Sequence, residues 1–222
     1  MYGEHPPSLF LVFSNAGPGG PDALDRWYRQ THGPEAFASG SFSALHRYEA
    51  LGDYEARFLA VWEGDFTSRQ EVRAKMLRGG PKGRSGITPA LVVVWSSFFF
   101  ATGATPETAG TVCTLTLVEG TVALGGPPPA GTTAYHYGDL VLYESPAGPD
   151  GVKAWATRGV ESMAPHGLYR TIFDDPESWP PVGTVTGGPW VSHWRPLGSV
   201  WADGRAIGHA IAVPPQTAVE ER

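Results

Sequence analysis

Hydrophobic and polar positions along the first hundred residues fall into a regular order of short segments. Leu9 to Ser14 is a continuous apolar run closed by Asn15-Ala-Gly-Pro-Gly-Gly-Pro, which predicts a buried strand running into a turn. Pro21 and Asp22 then suit the first turn of a helix, by proline's fixed backbone angle and by the charge on the aspartate. Leu24, Trp27, Tyr28 and Thr31 follow at i, i+3, i+4 and i+7, one helical face. The helix is expected to end near Gly33-Pro34, because proline disfavours helical geometry in the residue before it.

Phe42 to Leu51 alternates as a second strand and Arg57 to Trp62 reads as a third, with a turn at Gly52-Asp53 between them. Thr67 or Ser68 is placed to cap a second helix through Leu77, in which Val72 and Met76 stand one turn apart. Gly79-Gly80-Pro81 is its stop signal. Leu91 to Phe100, rich in β-branched and aromatic residues, is a fourth strand. The order is β-α-β-β-α-β, a ferredoxin-like α+β arrangement. With two helices on one face of such a sheet, the other face needs a cover, and a second sheet supplies it.

The second half carries looser echoes of the first. Leu9-Phe-Leu-Val-Phe-Ser-Asn-Ala-Gly-Pro resembles Asp139-Leu-Val-Leu-Tyr-Glu-Ser-Pro-Ala-Gly-Pro, and a helical stretch with a tryptophan follows each, Trp27 and Trp155. Val94-Trp-Ser-Ser-Phe-Phe-Phe likewise resembles Trp190-Val-Ser-His-Trp-Arg-Pro. A different register starts the second unit at Thr111 to Val118. The expectation is two tandem copies forming an α+β barrel, residues 1–105 and 106–222, with the boundary near Ala104 to Gly110. Pro- and Gly-rich inserts stand at Gly125 to Gly131 and Ser178 to Pro189, and the tail from Ala212 to Arg222 is expected to be disordered.

Composition narrows the function classes. The chain has 222 residues, enough for one large domain or two modules. It is 41% hydrophobic and 12% aromatic, and its 17% charged residues fall below the ~25% of ordinary soluble domains. A formal charge of −6 and the lack of any Lys/Arg run argue against nucleic acid. Cys113 is the lone cysteine, so neither an internal disulfide nor a cysteine-based metal site can form; in its strand-like setting it reads as a small buried hydrophobe. The N-terminus lacks a basic segment followed by an apolar one. The longest apolar run, Ala90 to Trp95, falls far short of the ~20 residues a bilayer span needs. A soluble, cytoplasmic protein with no membrane partner is expected.

Three segments together carry a family resemblance. Asp25-x-Trp27-Tyr28-x-x-x-His32-x-Pro34, then Ala44-x-x-Arg47-Tyr48, then Phe58-Leu-Ala-x-Trp62-Glu63 resemble the EthD-like dimeric α+β barrel proteins over about the first hundred residues. That superfamily includes polyketide cyclases, lactone isomerases, cofactor-free monooxygenases, haem-degrading enzymes and stress proteins. The resemblance therefore implies a fold and leaves the activity open. Homologues with one module complete the barrel by dimerising, so a chain with two is expected to be a monomer of pseudo-dimeric modules, or a homo-oligomer of such units.

Candidate chemistry rests on histidines and aromatics. His32 lies one turn after Tyr28 and can act as general acid or base, or simply interact with the end of its helix. Phe42, His46 and Tyr48 share one strand parity, opposite Leu45 and Arg47; a His–Tyr pair on a barrel wall suits proton abstraction and enolate binding, while packing beneath helices is the plainer role. Trp62 and Glu63 take opposite faces, and a glutamate in an apolar cavity would have a raised pKa. Trp95 and Phe99 share one parity and Phe98 and Phe100 the other, as in a strand buried on both sides. In the second half the clusters are Tyr135-His136-Tyr137 and Ser192-His193-Trp194-Arg195, with Arg195 suited to a carboxylate or enolate. The candidates are thus His32, His46, Tyr48, His136 and His193 for catalysis, and Tyr28, Trp62, Trp95, Tyr137 and Arg195 for substrate binding.

No His-x-His, HExxH or two-His-one-carboxylate spacing points to a metal. Gly17 to Gly20 lacks the Lys-Ser/Thr of a phosphate loop, and no serine sits in a Gly-x-Ser-x-Gly elbow. The expected function is cofactor-free acid–base chemistry, as a cyclase, isomerase or lyase acting on a small hydrophobic or aromatic substrate. A cofactor-independent monooxygenase and a non-enzymatic ligand-binding or stress-response protein are the alternatives.

Overall fold

β1 (Ser8–Ala16) shows why the first apolar run has no polar parity. Leu9, Leu11 and Phe13 enter a core built from both halves of the chain, whereas Phe10 and Val12 pack beneath helices, so the strand is covered on both faces. The structure is a computed structural model, and it describes residues 6–78, 88–102, 112, 114–119, 124–156, 190–204 and 206–208. Cys113, the boundary at Ala104 to Gly110, the stop signal at Gly79-Gly80-Pro81, the insert at Ser178 to Pro189 and the C-terminal tail lie outside the described residues.

The first half continues with α1 (Gly20–Trp27), a π-helical turn (Tyr28–His32), α2 (Gly33–Ala38), β2 (Phe42–Ala50), β3 (Phe58–Gly64), α3 (Arg69–Arg78) and β4 (Leu91–Phe100). The second half holds β5 (Thr114–Glu119), β6 (Thr133–Tyr137), β7 (Leu140–Ser145), α4 (Pro149–Ala156), β8 (Trp190–Trp201) and β9 (Ala206–Gly208). This is an α+β protein with all nine described strands in one antiparallel sheet. The strand order is β4-β1-β3-β2-β8-β5-β7-β6, with β9 added beside β8. The second four strands repeat the permutation of the first four, and β2 and β8 form the seam between them.

The two ends of that order meet. The Thr102 N–H, just past β4, donates to the His136 carbonyl of β6 at 3.0 Å. The Gly138 N–H donates to Thr102 Oγ1 at 3.0 Å, and the Tyr137 hydroxyl donates to the Pro6 carbonyl at 3.1 Å. The sheet thus curls until its inner face closes on a core shared by Leu9, Phe13, Val61, Leu115, Leu142 and Trp194. A second core of Val12, Leu24, Phe42, Trp62 and Phe98 lies under the first-half helices, and a small third one of Val118, Val152, Trp155 and Val191 lies under α4. Among the described residues no helix is long and apolar enough to cross a membrane.

Two expectations about local structure are corrected. The first helix does not stop at Gly33-Pro34: the chain widens into the π-helical turn and continues as α2. The Gly33 N–H reaches back five residues to the Tyr28 carbonyl, and Pro34, in the first turn of α2, has no N–H to leave unpaired. The wide turn needs glycine, since a Cβ at position 33 would lie 2.6 Å from the Tyr28 carbonyl oxygen. Gly33→Ala is therefore expected to lower stability by about 1–3 kcal/mol, read as a shift of the urea midpoint; an unchanged midpoint would show that the turn relaxes freely.

The second correction concerns Phe42, which strict alternation places beside His46 and Tyr48. Phe42 pairs with Gly64 and Ala44 with Glu63, so the register slips by one at Ser43. This bulge turns Phe42 to the helix side, where it packs against Trp62, while His46 and Tyr48 stay on the inner face. The cap of α3 is as expected: the Ser68 hydroxyl accepts the Glu71 N–H at 3.3 Å, and the Glu71 carboxylate accepts the Thr67 N–H at 2.8 Å. The Thr67 backbone bond, then Lys75 and the Thr67 hydroxyl, hold the Glu71 carboxyl down at about 2.

Candidate functional site

On the inner face, β2, β3 and β8 bring polar groups into an otherwise apolar interior. Strand pairing sets Ser199 directly opposite His46, and Glu63 lies two residues along β3 from Val61, the other partner of His46. His46 Nδ1 is 2.7 Å from Ser199 Oγ and its Nε2 is 2.7 Å from Glu63 Oε1. His46 is 0% exposed, Ser199 3% and Glu63 6%. A carboxylate accepts and cannot donate, so Nε2 carries the proton shared with Glu63. When the ring is neutral, Nδ1 accepts the Ser199 hydroxyl hydrogen, an arrangement that orients the imidazole as a base toward Ser199. The edge of Trp201 covers the ring, with centroids 5.6 Å apart.

Further polar groups face the same interior from β6 and β7. The Tyr135 hydroxyl donates to Glu144 Oε2 at 3.2 Å. Burial pushes the Glu144 carboxyl up to about 7, partly offset by the Tyr135 hydrogen bond. Burial also raises Tyr135 and Tyr137 well above the usual phenol value, and the Glu63 carboxylate adds to the rise in both. Both phenols are therefore donors at neutral pH. Glu63 also acts on Glu144, so the His46 and Glu144 groups share one electrostatic environment across the core.

The residues singled out from the sequence separate into several places. His46, Tyr48 and Tyr137 are buried on the inner face, and Trp95 packs beside them, tilted against Phe13 at 5.3 Å and Phe99 at 6.0 Å. Tyr28, His32 and Trp62 form a separate group on the helix side. There His32 stacks on Trp27 at 4.4 Å and meets Trp62 edge-on at 5.2 Å, while Tyr28 lies under the Arg47 guanidinium. His193 takes the outer parity of β8, with Nδ1 3.0 Å from the Thr116 hydroxyl; burial, then the charge of Lys153, lowers it to about 4. His136 is exposed and contributes its backbone carbonyl to the closure with Thr102. Arg195 is exposed and ion-paired with Glu49, which also binds Arg57.

Ser199, Tyr135 and Glu144 belong to the inner group without having been among the candidates. Glu144 had a legible signal, a carboxylate on the same parity as Leu140 and Leu142. Tyr135 shares the parity of Tyr137. Ser199 had none, since its link to His46 spans 153 residues. Among the described residues no three His, Cys, Asp or Glu side chains converge as a metal ion would need.

Fold and site together define an α+β protein with one curled antiparallel sheet and a hydrogen-bonded Ser–His–Glu group on its inner face. No family model, no curated protein and no solved structure matches this chain.

Proposed function

We propose that the chain is a tandem pair of ferredoxin-like modules closing one α+β barrel, and that it performs acid–base chemistry on a small hydrophobic or aromatic molecule. The modular reading is supported by the repeated strand order: β5, β6, β7 and β8 take the ranks of β1, β2, β3 and β4. The likeness of Val94 to Phe100 with Trp190 to Pro196 then joins strands of equal rank. The likeness of Leu9 with Asp139 does not, because β7 holds the rank of β3, so the start at Thr111 to Val118 is the fitting register. The second module departs from the first in having no helix among the described residues of the Gly- and Pro-rich link from β5 to β6. The EthD-like resemblance of the first half agrees with this plan, and a chain holding both modules is expected to be monomeric.

The observation that carries the chemical reading is His46 fixed between Glu63 and Ser199 at 2.7 Å on each side, facing the interior. Such a histidine takes a proton from an acidic C–H of the substrate through the Ser199 hydroxyl. The hydroxyl gives its own proton to Nδ1 as it receives the substrate's, and the Glu63 carboxylate offsets the imidazolium charge. Protonated Tyr135 and Tyr137 donate to an enolate oxygen by exchanging their bonds to Glu144 and to the Pro6 carbonyl. Glu144, near neutrality in its pKa, is suited to returning a proton or assisting a leaving group. Isomerisation, cyclisation and elimination all follow from these steps, and none calls on a cofactor.

Native mass spectrometry of the protein purified from its producing cells, with metal analysis alongside, is the first test. A bound organic molecule is expected, and His46→Gln is expected to slow its conversion by about a hundredfold or more. A stoichiometric metal or haem would overturn the reading. Oxygen uptake during turnover would favour the monooxygenase, and a ligand that is bound but never changed would favour a binding protein.

A further inference from the structure

On the helix side, away from the His46 group, a buried arginine has donor nitrogens without acceptors. Arg47 is only 5% exposed, yet its Nε and Nη1 have no hydrogen-bond partner. Its guanidinium lies 4.1 Å from the centroid of the Tyr28 ring, and its nearest carboxylate oxygen, on Asp25, is 3.6 Å from Nη1, beyond hydrogen-bond length. That carboxylate is already committed, with Arg29 Nε at 2.9 Å. Two guanidinium groups thus share one carboxylate. Buried donors without acceptors call for a partner.

The surroundings suit one kind of partner. Arg47 sits under the π-helical turn, an irregularity frequent at functional sites. The turn contributes Tyr28 and His32, and His32 is flanked by Trp27 and Trp62. A cation with free donors on one aromatic face, with further rings beside that face, fits an anion attached to a flat apolar body.

We propose that Arg47, with Tyr28 against it and His32 and Trp62 beside Tyr28, forms a binding site for a small organic carboxylate. The carboxylate accepts the unused Arg47 hydrogens and balances the charge, and its apolar body lies among the rings. This site is distinct from the inner face, so it stands or falls separately from the proposed acid–base reaction.

The test uses the full chain and sodium benzoate, with benzyl alcohol at equal ionic strength as the uncharged control. Binding is followed by tryptophan fluorescence and by thermal melting. Benzoate is expected to saturate and raise the melting temperature, and benzyl alcohol to do neither. Arg47→Met should weaken benzoate by about tenfold or more, while the ligand-free variant melts no lower than the parent because buried donors without acceptors have been removed. Asp25→Asn frees Arg47 from its competing carboxylate and should tighten benzoate by about threefold. This second variant decides the matter if Arg47→Met does not fold. Equal effects of benzoate and benzyl alcohol, parent-like binding by Arg47→Met, or no tightening in Asp25→Asn would each overturn the site.

Discussion

Trp194→Ala is expected to lower the stability of the chain by about 3–5 kcal/mol, within one cooperative unfolding transition. Trp194 is fully buried in the inner core. It belongs to the second half, yet it meets Phe13 of β1 edge-on at 5.5 Å and Tyr54 at 5.6 Å, both from the first half. Its Nε1–H donates to the Ser192 hydroxyl at 2.7 Å, so truncation also orphans a buried polar atom. The strand positions beside it, Ala50 of β2 and Leu115 of β5, are too closely tied into ladders to fill the space. Because the cavity opens in a core that both halves line, neither half keeps its stability alone. Urea titrations by circular dichroism and by fluorescence should therefore shift together. Two separated transitions, with the first half unmoved, would contradict the shared core.

A flat dependence of stability on pH between about 4.5 and 6.5, hiding two opposed slopes, is the second large effect. Glu144 has its carboxyl raised by burial to about 7 in the folded chain. Its contribution is fully present below the unfolded value near 4.5 and is lost as pH rises toward 7, a change of about 3 kcal/mol. His193 is lowered by burial, then by Lys153, to about 4. Its contribution is fully present above the unfolded value near 6.5 and is lost as pH falls toward 4, again by about 3 kcal/mol. In the window between, the folded chain retains a proton on Glu144 that the unfolded chain releases, and refuses one on His193 that the unfolded chain binds.

Single substitutions uncover each slope. Glu144→Gln leaves the histidine alone, so stability should climb from pH 4 to pH 6.5. His193→Gln leaves the carboxylate alone, so stability should fall from pH 4.5 to pH 7. Carboxylates held low by hydrogen bonds, such as Glu71 and Glu49, are common to all three proteins and cancel in the comparison. Urea midpoints measured at half-unit intervals from pH 4 to pH 8 decide it, and three parallel profiles would show that neither group is charged as described.

Much of the first half was legible because its signals are local. Leu91 to Phe100 carries apolar residues on both parities, and β4 has those bounds, with Phe98 stacked on Phe10 at 4.3 Å on one face and Phe99 in the inner core on the other. The Thr67–Ser68–Glu71 cap needed only neighbouring side chains. His46 and Tyr48 were correctly set on one face because a strand alternates. Phe42 broke that rule because one inserted residue reverses every parity beyond it, and a bulge is chosen by the partner strand. The continued helix escaped notice because a π-helical turn is a compromise between Pro34 and the packing of Tyr28 and His32, which local propensity does not express.

The two-sided burial read for Leu91 to Phe100 holds at Phe98 and Phe99 and not at the exposed Val92. By itself, then, the amino-acid sequence determined the four strands of the first half, the start of its first helix, the cap of α3 and the histidines and tyrosines available for chemistry. Tertiary structure alone decided which of these groups meet. Ser199 reaches His46 only because β8 pairs with β2 at one register, and Glu144 becomes a near-neutral acid only because the curled sheet takes it out of water. Both depend on contacts between residues far apart in the chain, where alternation and propensity carry no information and only the fit of one strand against another selects the partner.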